Sequence, residues 1–140
     1  MVAAIRIMVV DDFKQWRETL TSIVEATEGF RVVAEACNGL EAIAKAGCLL
    51  PDIVLLDIGL PLLNGLEAAA RIRQASPGSK IIFVTQEQDS DIRTAAFANG
   101  AEGYLLKSRA VAELKRTIDA ARPISTRYVL PEYLEIHQTS

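Results

Sequence analysis

This chain has little with which to bind a soft metal or run a dithiol cycle. It carries two cysteines, Cys37 and Cys48, and one histidine, His137. There is no CxxC pair and no histidine near either thiol, which argues against a zinc site or a redox motif. Two isolated thiols suit buried, reduced cysteines of a cytosolic protein. No apolar run approaches the length of a membrane span. The opening MVAAIRIMVV is too short for a signal-peptide core and runs straight into acids. Basic runs are also missing, and the net charge is −3, so nothing general favours nucleic acid or an anionic membrane.

What is present is a core. Half of the 140 residues are apolar, enough for one domain of ordinary size. The organising stretch is Pro51 to Gly65, PDIVLLDIGLPLLNG. Its apolar run Ile53-Val54-Leu55-Leu56, bounded by Pro and Gly, reads as a fully buried strand that stops on an acid, Asp57. Asp often does no more than start a turn, so the rest of the chain must decide its role.

Ile5 to Val10 is a second such run, ending at Asp11-Asp12. Trp16, Leu20, Ile23 and Val24 follow at the spacing of one helix face, which Gly29 closes. Phe30 to Ala36 is a strand turned by Asn38-Gly39, and Leu40, Ile43 and Ala46 mark a short helix ending near Gly47. Asn64-Gly65 opens a helix with Leu66, Ala69 and Ile72 inward and Glu67, Arg71 and Arg73 outward. Ser76 to Ser79 breaks it. Lys80 to Val84 is a buried strand with Thr85 at its end. A helix from about Asp91 to Asn99 is closed by Gly100. Gly103 to Leu106 is the last strand, ended by Lys107. Val111, Leu114 and Ile118 line a final helix that stops before Pro123.

Five strand–helix alternations with short connections predict an α/β fold, a parallel sheet with helices on both faces. In such sheets ligands bind outside the carboxyl ends of the strands. Asp11, Asp12, Asp57, Thr85 and Lys107 all stand at strand ends, so parallel strands would bring them to one edge. Three carboxylates there repel one another, and a hard divalent cation such as Mg²⁺ offsets this with oxygen ligands. Lys107 adds a cation that can neutralise a phosphoryl oxygen, or pair with an acid at rest. A carboxylate, a divalent metal, a lysine and a hydroxyl together fit phosphoryl transfer with an Asp as nucleophile.

At these residues the chain resembles the receiver domain of bacterial two-component response regulators, most closely the LuxR/NarL-type branch. The match runs from about Ile5 to Ala121. It is carried by Asp11-Asp12, by Asp57 in LLDIGLPLLNG, by Thr85, and by Gly103-Tyr104-Leu105-Leu106-Lys107. The resemblance implies a flavodoxin-like, doubly wound (βα)5 sheet of order 2-1-3-4-5. It implies a receiver over residues 1–122 and a linker or tail over 123–140. Asp57 would take a phosphoryl group from a phosphohistidine on a sensor kinase. Asp12, Asp57 and the Gly59 carbonyl would bind Mg²⁺, with Asp11 assisting largely through water. Lys107 would pair with phosphoryl oxygens, Thr85 would swing towards them, and Tyr104 would turn inward in step. The output would be a shift of the face formed by helix four, strand five and helix five. Phe13 and Trp16 are read as core or rim aromatics with no chemistry of their own.

Some positions depart from the common family pattern. Gly59 has no side chain where many relatives carry an amide or Met, and Gln86 stands where a small residue is common. Both flank the pocket and bear on dephosphorylation and on access of small phosphodonors. Glu87 could orient a hydrolytic water. Ser108 stands where many relatives have Pro, leaving the isomer of the Lys107–Ser108 bond open. In the tail, Arg127-Tyr128-Val129-Leu130-Pro131-Glu132 resembles the linker to a LuxR-type helix-turn-helix domain, and a short helix from Pro131 to His137 is possible. His137 reads as solvated. The chain is then a receiver cut from a transcription regulator, touching DNA only through an output domain it lacks, or a single-domain regulator with a tail. Helix four is apolar over more than one face, which leans towards an interface. The family suggests a homodimer on phosphorylation through helices one and five, or four and five, in the cytoplasm and away from membranes.

Rival readings lack their residues. A haloacid dehalogenase-type phosphatase wants Asp-x-Asp after its first strand, and neither Asp11-Asp12-Phe13 nor Asp57-Ile58-Gly59 supplies it. A flavin module wants a Ser/Thr-rich phosphate loop where Asp11-Asp12-Phe13-Lys14 stands. An adaptor that has lost phosphorylation would have no reason to keep all five residues.

Overall fold

A computed structural model describes residues 3–122. The elements run β1 (Ile5–Val10), α1 (Lys14–Glu25), β2 (Phe30–Ala36), α2 (Gly39–Leu49) and β3 (Ile53–Leu56). They continue with α3 (Gly65–Ala75), β4 (Lys80–Thr85), α4 (Ser90–Ala98), β5 (Gly103–Leu106) and α5 (Ala110–Ala121). All four strand pairings are parallel, and the order is β2-β1-β3-β4-β5. This is the flavodoxin-like doubly wound sheet. The tail, with its Pro131 to His137 helix and His137 itself, lies outside the described residues.

The strands are apolar throughout because both faces of the sheet are covered. Met8, Val10, Val54, Leu56, Ile81 and Phe83 point into one core beneath α2, α3 and α4. Ile7, Val9, Ile53, Leu55, Ile82 and Val84 point into the other, against Leu20 and Val24 of α1 and Leu114 and Ile118 of α5. Alternate residues thus feed opposite cores, and burying each large side chain is worth about 1.5–3 kcal/mol.

Register places the functional edge. Val10 pairs with Leu56, Leu56 with Phe83, and Phe83 with Tyr104. The ladder carries one residue further, with Asp57 N–H donating to the Val10 carbonyl at 3.1 Å and Asp11 N–H to that of Ala36 at 3.1 Å. The acids therefore sit at matching heights on neighbouring strands.

Several local expectations are corrected. α2 runs through Gly47 to Leu49, because Gly47 packs beside Ala75 without breaking the helix. The true stop is Leu50, left-handed at φ 50°, followed by Pro51. α1 ends at Glu25, four residues before Gly29, which takes φ 88° in the turn beyond. Cys37 and Cys48 are exposed, not buried: Cys37 lies in the connection between β2 and α2, and α2 turns its Gly39–Ala42–Ala46 stripe inward with Leu40 and Cys48 outward. In α5 the buried stripe is Ala110, Leu114, Ile118 and Ala121, leaving Val111 82% exposed one position off the face. Arg73 is half-buried against Gly100, with its Nη2 lacking a partner, where an outward side chain was expected.

The loop after β3 depends on one missing side chain. Asn64 caps α3 by accepting from Glu67 N–H at 3.0 Å, and Gly65 N–H donates to the Ile58 carbonyl at 2.8 Å. A Cβ on Gly65 would overlap the Asp57 carbonyl oxygen and stand 2.5 Å from Ile58 Cα. Gly65→Ala should therefore cost about 1–3 kcal/mol in urea unfolding. At Gly59 an added Cβ meets nothing within 4 Å. Gly59→Ala should shift stability by no more than about 0.5 kcal/mol; equal costs for the two variants would contradict this account of the loop.

Candidate functional site

Each acid comes to the edge by a different route. Asp11 and Asp12 follow β1 directly. The Asp11 side chain turns inward, 1% exposed, and its Oδ1 accepts from Phe13 N–H at 2.8 Å. Asp12, the next residue, is exposed, yet its carboxylate stays close to the other two. Asp57 ends β3 at 8% exposure, and its Oδ1 accepts from Gly59 N–H at 3.3 Å. The three carboxylates each offer an oxygen lying within 4.8 Å of the others.

Lys107 reaches into this group from the end of β5. Its Nζ lies 2.6 Å from Asp11 Oδ2 and 3.1 Å from Asp57 Oδ2. Asp11 therefore contacts the ammonium directly. Burial by itself would lower the Lys107 pKa, but the Asp11 hydrogen bond and the charge of Asp57 outweigh it and hold the amine above its ordinary value. Burial also pushes the Asp11 carboxyl up, and the Lys107 hydrogen bond only partly offsets this. Asp11 holds its proton mainly because it is buried, and Lys107 because two carboxylates flank it; with Asp12 close by, three acids share one cation and the cluster is short of positive charge. An all-oxygen, charge-deficient donor set is what a hard divalent ion such as Mg²⁺ takes, and the residues present fit it.

The mouth above Asp57 is a cavity of about 450 Å³ lined by Asp12, Phe13, Gly59, Thr85, Gln86 and Lys107, among others. Thr85 is buried, and its Oγ1 accepts from Glu87 N–H at 3.2 Å. The Glu87 carbonyl accepts from the Tyr104 hydroxyl at 2.7 Å. Residue 87 thus ties Thr85 to Tyr104 through its backbone. Glu87 also lines the cavity, and its Oε1 accepts from Asp89 N–H at 3.0 Å just before α4. Tyr104 packs between Phe83 and Phe97, with ring centroids 6.5 Å away on each side, and the Arg93 guanidinium lies 5.7 Å from its ring. Burial, and next the charge of Glu87, raise the Tyr104 pKa, so the hydroxyl stays a donor at neutral pH.

The strand-end residues singled out from sequence thus meet at one edge, and Gly59 and Gln86 line its mouth. Tyr104 stands on β5, behind Glu87. Among the described residues no peptide bond is cis, and Lys107–Arg109 form a 3-10 turn. One neighbour, Arg17, had no sequence reading, and Trp16, read as a core or rim aromatic, stands closer to the charge than that reading implied. Arg17 donates from Nη1 to the Asp11 carbonyl at 2.8 Å, with its Nε 3.3 Å from Glu35 Oε1. Trp16 turns its ring to Lys107, with Nζ 5.6 Å from the centroid. For Arg17 the only sequence signal is its place one turn into the helix after Asp11-Asp12. No helix among the described residues is long and apolar enough to cross a membrane.

A family model described as the response regulator receiver domain matches residues 7–119. The chain is 43% identical over 103 residues to the transcriptional regulatory protein LnrK of Bacillus subtilis, covering 74% of this chain and 47% of that protein. It is 38% identical over 103 residues to the chemotaxis protein CheY of Listeria monocytogenes, covering 74% and 86% respectively. A solved two-component response regulator of the LuxR family from an Aurantimonas species superposes with TM-score 0.81 at 34% identity, covering 99% of this chain and 100% of that one. The chain spans about half the length of the first curated relatives it matches.

The Asp11–Lys107–Asp57 contacts set a pH dependence. A lysine whose native pKa is raised contributes stability that is complete below its unfolded value and is lost as pH rises through the native one. In metal-free protein, the Lys107 Nζ NMR signal should titrate above the ordinary lysine value of 10.5. A midpoint below that value would mean the carboxylates do not hold the ammonium.

Proposed function

The chain belongs to the response regulator receiver family of two-component signalling, and from that premise we propose that Asp57 is the phosphoryl acceptor of its switch. The observation that carries this reading is the bridge of Lys107 between Asp57 and Asp11 at the mouth of an open cavity. An Asp57 oxygen attacks phosphorus in line with the leaving group, which is the imidazole nitrogen of a phosphohistidine on a sensor kinase. The P–N bond breaks as the P–O bond forms, and imidazole departs with a proton. Lys107 offers its charge to the equatorial oxygens, and Thr85 its hydroxyl, so catalysis is positioning and neutralisation. Asp11, Asp12 and Asp57, with the Gly59 carbonyl, would hold Mg²⁺; bound there, it supplies the positive charge the cluster lacks. The domain is a signalling switch, and the only chemistry we assign it is its own phosphorylation and dephosphorylation.

The readout runs through residue 87. When Thr85 turns to a phosphoryl oxygen, it releases Glu87 N–H, and the Tyr104 hydroxyl bonded to the same residue responds. The affected face comprises α4, β5 and α5, where Arg93 and Phe97 cover Tyr104. Gly59 and Gln86, both exposed at the mouth, tune access of donor and water. LnrK, a transcriptional regulator about twice the span matched here, supports an output in transcription through a DNA-binding domain outside these residues. Homodimerisation on phosphorylation and a cytoplasmic setting complete this reading. The Listeria relative, matched over 86% of its length, favours as second reading a single-domain regulator acting by protein contacts.

Acetyl phosphate with Mg²⁺ should add one base-labile phosphoryl group to wild type, read by intact mass. Asp57→Asn should gain none, and chelating the metal should stop the reaction. No modification by this donor or by a cognate kinase would sink the proposal. Asp12→Ala should lose Mg²⁺ binding while unfolding as cooperatively as wild type; unchanged affinity would remove Asp12 from the site.

A further inference from the structure

Lys107 works at the end of a flexible four-carbon stem, and its own loop does little to aim it. Ser108 and Arg109, which follow it, are exposed. Space lies open on its far side, where a cavity of about 470 Å³ is lined by Phe13, Trp16, Gln86, Gln88, Leu106 and Ser108, among others. An ammonium that swung into that space would trade two carboxylates for glutamine amides. What borders this cavity next to the ammonium is the indole of Trp16, 5.6 Å from Nζ to ring centroid, within cation–π range.

The indole is set for its face and not for its polar edge. Trp16 is half-buried and packs on the core that includes Leu20 and Val24. Its Nε1 is buried without a hydrogen-bond partner. Buried indole nitrogens usually find one, so this side chain forgoes a polar contact that Leu or Val in its place would never need. The polar contact the indole does make is through its ring face, to the Lys107 ammonium.

We propose that Trp16 is a positioning residue for the phosphoryl transfer: its ring holds the Lys107 ammonium against Asp11 and Asp57 and bars its retreat into the adjoining cavity. The proposal rests on the reading of Asp57 as acceptor. The ring touches no reacting atom and acts only through where it keeps the charge.

Two variants separate ring from bulk. Trp16→Leu keeps an apolar side chain without a ring, and Trp16→Phe keeps a ring. Initial rates of phosphorylation over a range of acetyl phosphate, at saturating Mg²⁺, give the limiting rate and the half-saturating donor concentration separately. Trp16→Leu should lower the limiting rate about five- to tenfold while the half-saturating concentration moves less than about twofold, and Trp16→Phe should restore most of the rate. No loss in Trp16→Leu, or an equal loss in both variants, overturns the proposal. Should either variant fail to fold, the contact is still judged in the native tryptophan background. Trp16 is the sole tryptophan, so Lys107→Met should change its emission and Lys107→Arg should preserve it. Unchanged emission in Lys107→Met overturns the contact. If wild type itself takes no phosphoryl group, the acceptor reading fails, and the emission comparison alone decides on Trp16.

Discussion

Asp11 and Asp57 stand almost wholly buried on adjacent strands, and one ammonium spans them. Two like charges so placed repel strongly in a medium poorer than water at screening them. Lys107 makes the arrangement tolerable without making it neutral, since Asp12 adds a third charge nearby. The remaining deficit suits a divalent ion, and it is the feature on which the proposed phosphoryl acceptance at Asp57 rests. Resting stability and chemistry thus share one charge ledger.

Much of the architecture exists to deliver that lysine. β5 is separated from β1 by β4 and β3, three spacings of about 4.8 Å. A cation from the sheet edge reaches Asp11 only on a long stem and from loops that lean over the strand ends. β4 contributes Thr85 on the way, and the turn after it links Thr85 to Tyr104 through one residue. On the β3 side the loop closes tightly over Asp57, because Gly65 allows α3 to start against the strand end.

The element beyond that turn is lightly held. Ala96 is the buried residue of α4, whereas α3 buries Gly65, Ala68, Ala69 and Ile72. A helix with little buried apolar surface opens and shifts at low cost. Arg93 and Phe97 cover Tyr104 from this helix, so any shift of α4 changes what the Tyr104 ring packs against. Its apolar residues Phe97 and Ala98 face solvent in the described chain, in keeping with the apolar excess visible in sequence.

The linear chain carried the class of fold, the five strands and the convergence of Asp11, Asp12, Asp57, Thr85 and Lys107. Those follow from period-two burial on both sheet faces and from parallel strands ending at one edge, both local or topological facts. It misjudged matters settled by which way a helix is rolled: the exposure of Val111, Leu40 and Cys48. A stripe of alanines and glycines can outcompete larger apolar residues for the inside when helices pack closely, as α2 does on α3, and spacing alone does not show it. The packed tertiary arrangement was needed to show that Asp11, buried, meets Lys107 directly while Asp12 stays exposed at the rim of the same carboxylate cluster. It alone set the Trp16 ring beside the ammonium, because that contact joins residues 91 positions apart and depends on how α1 lies across the sheet.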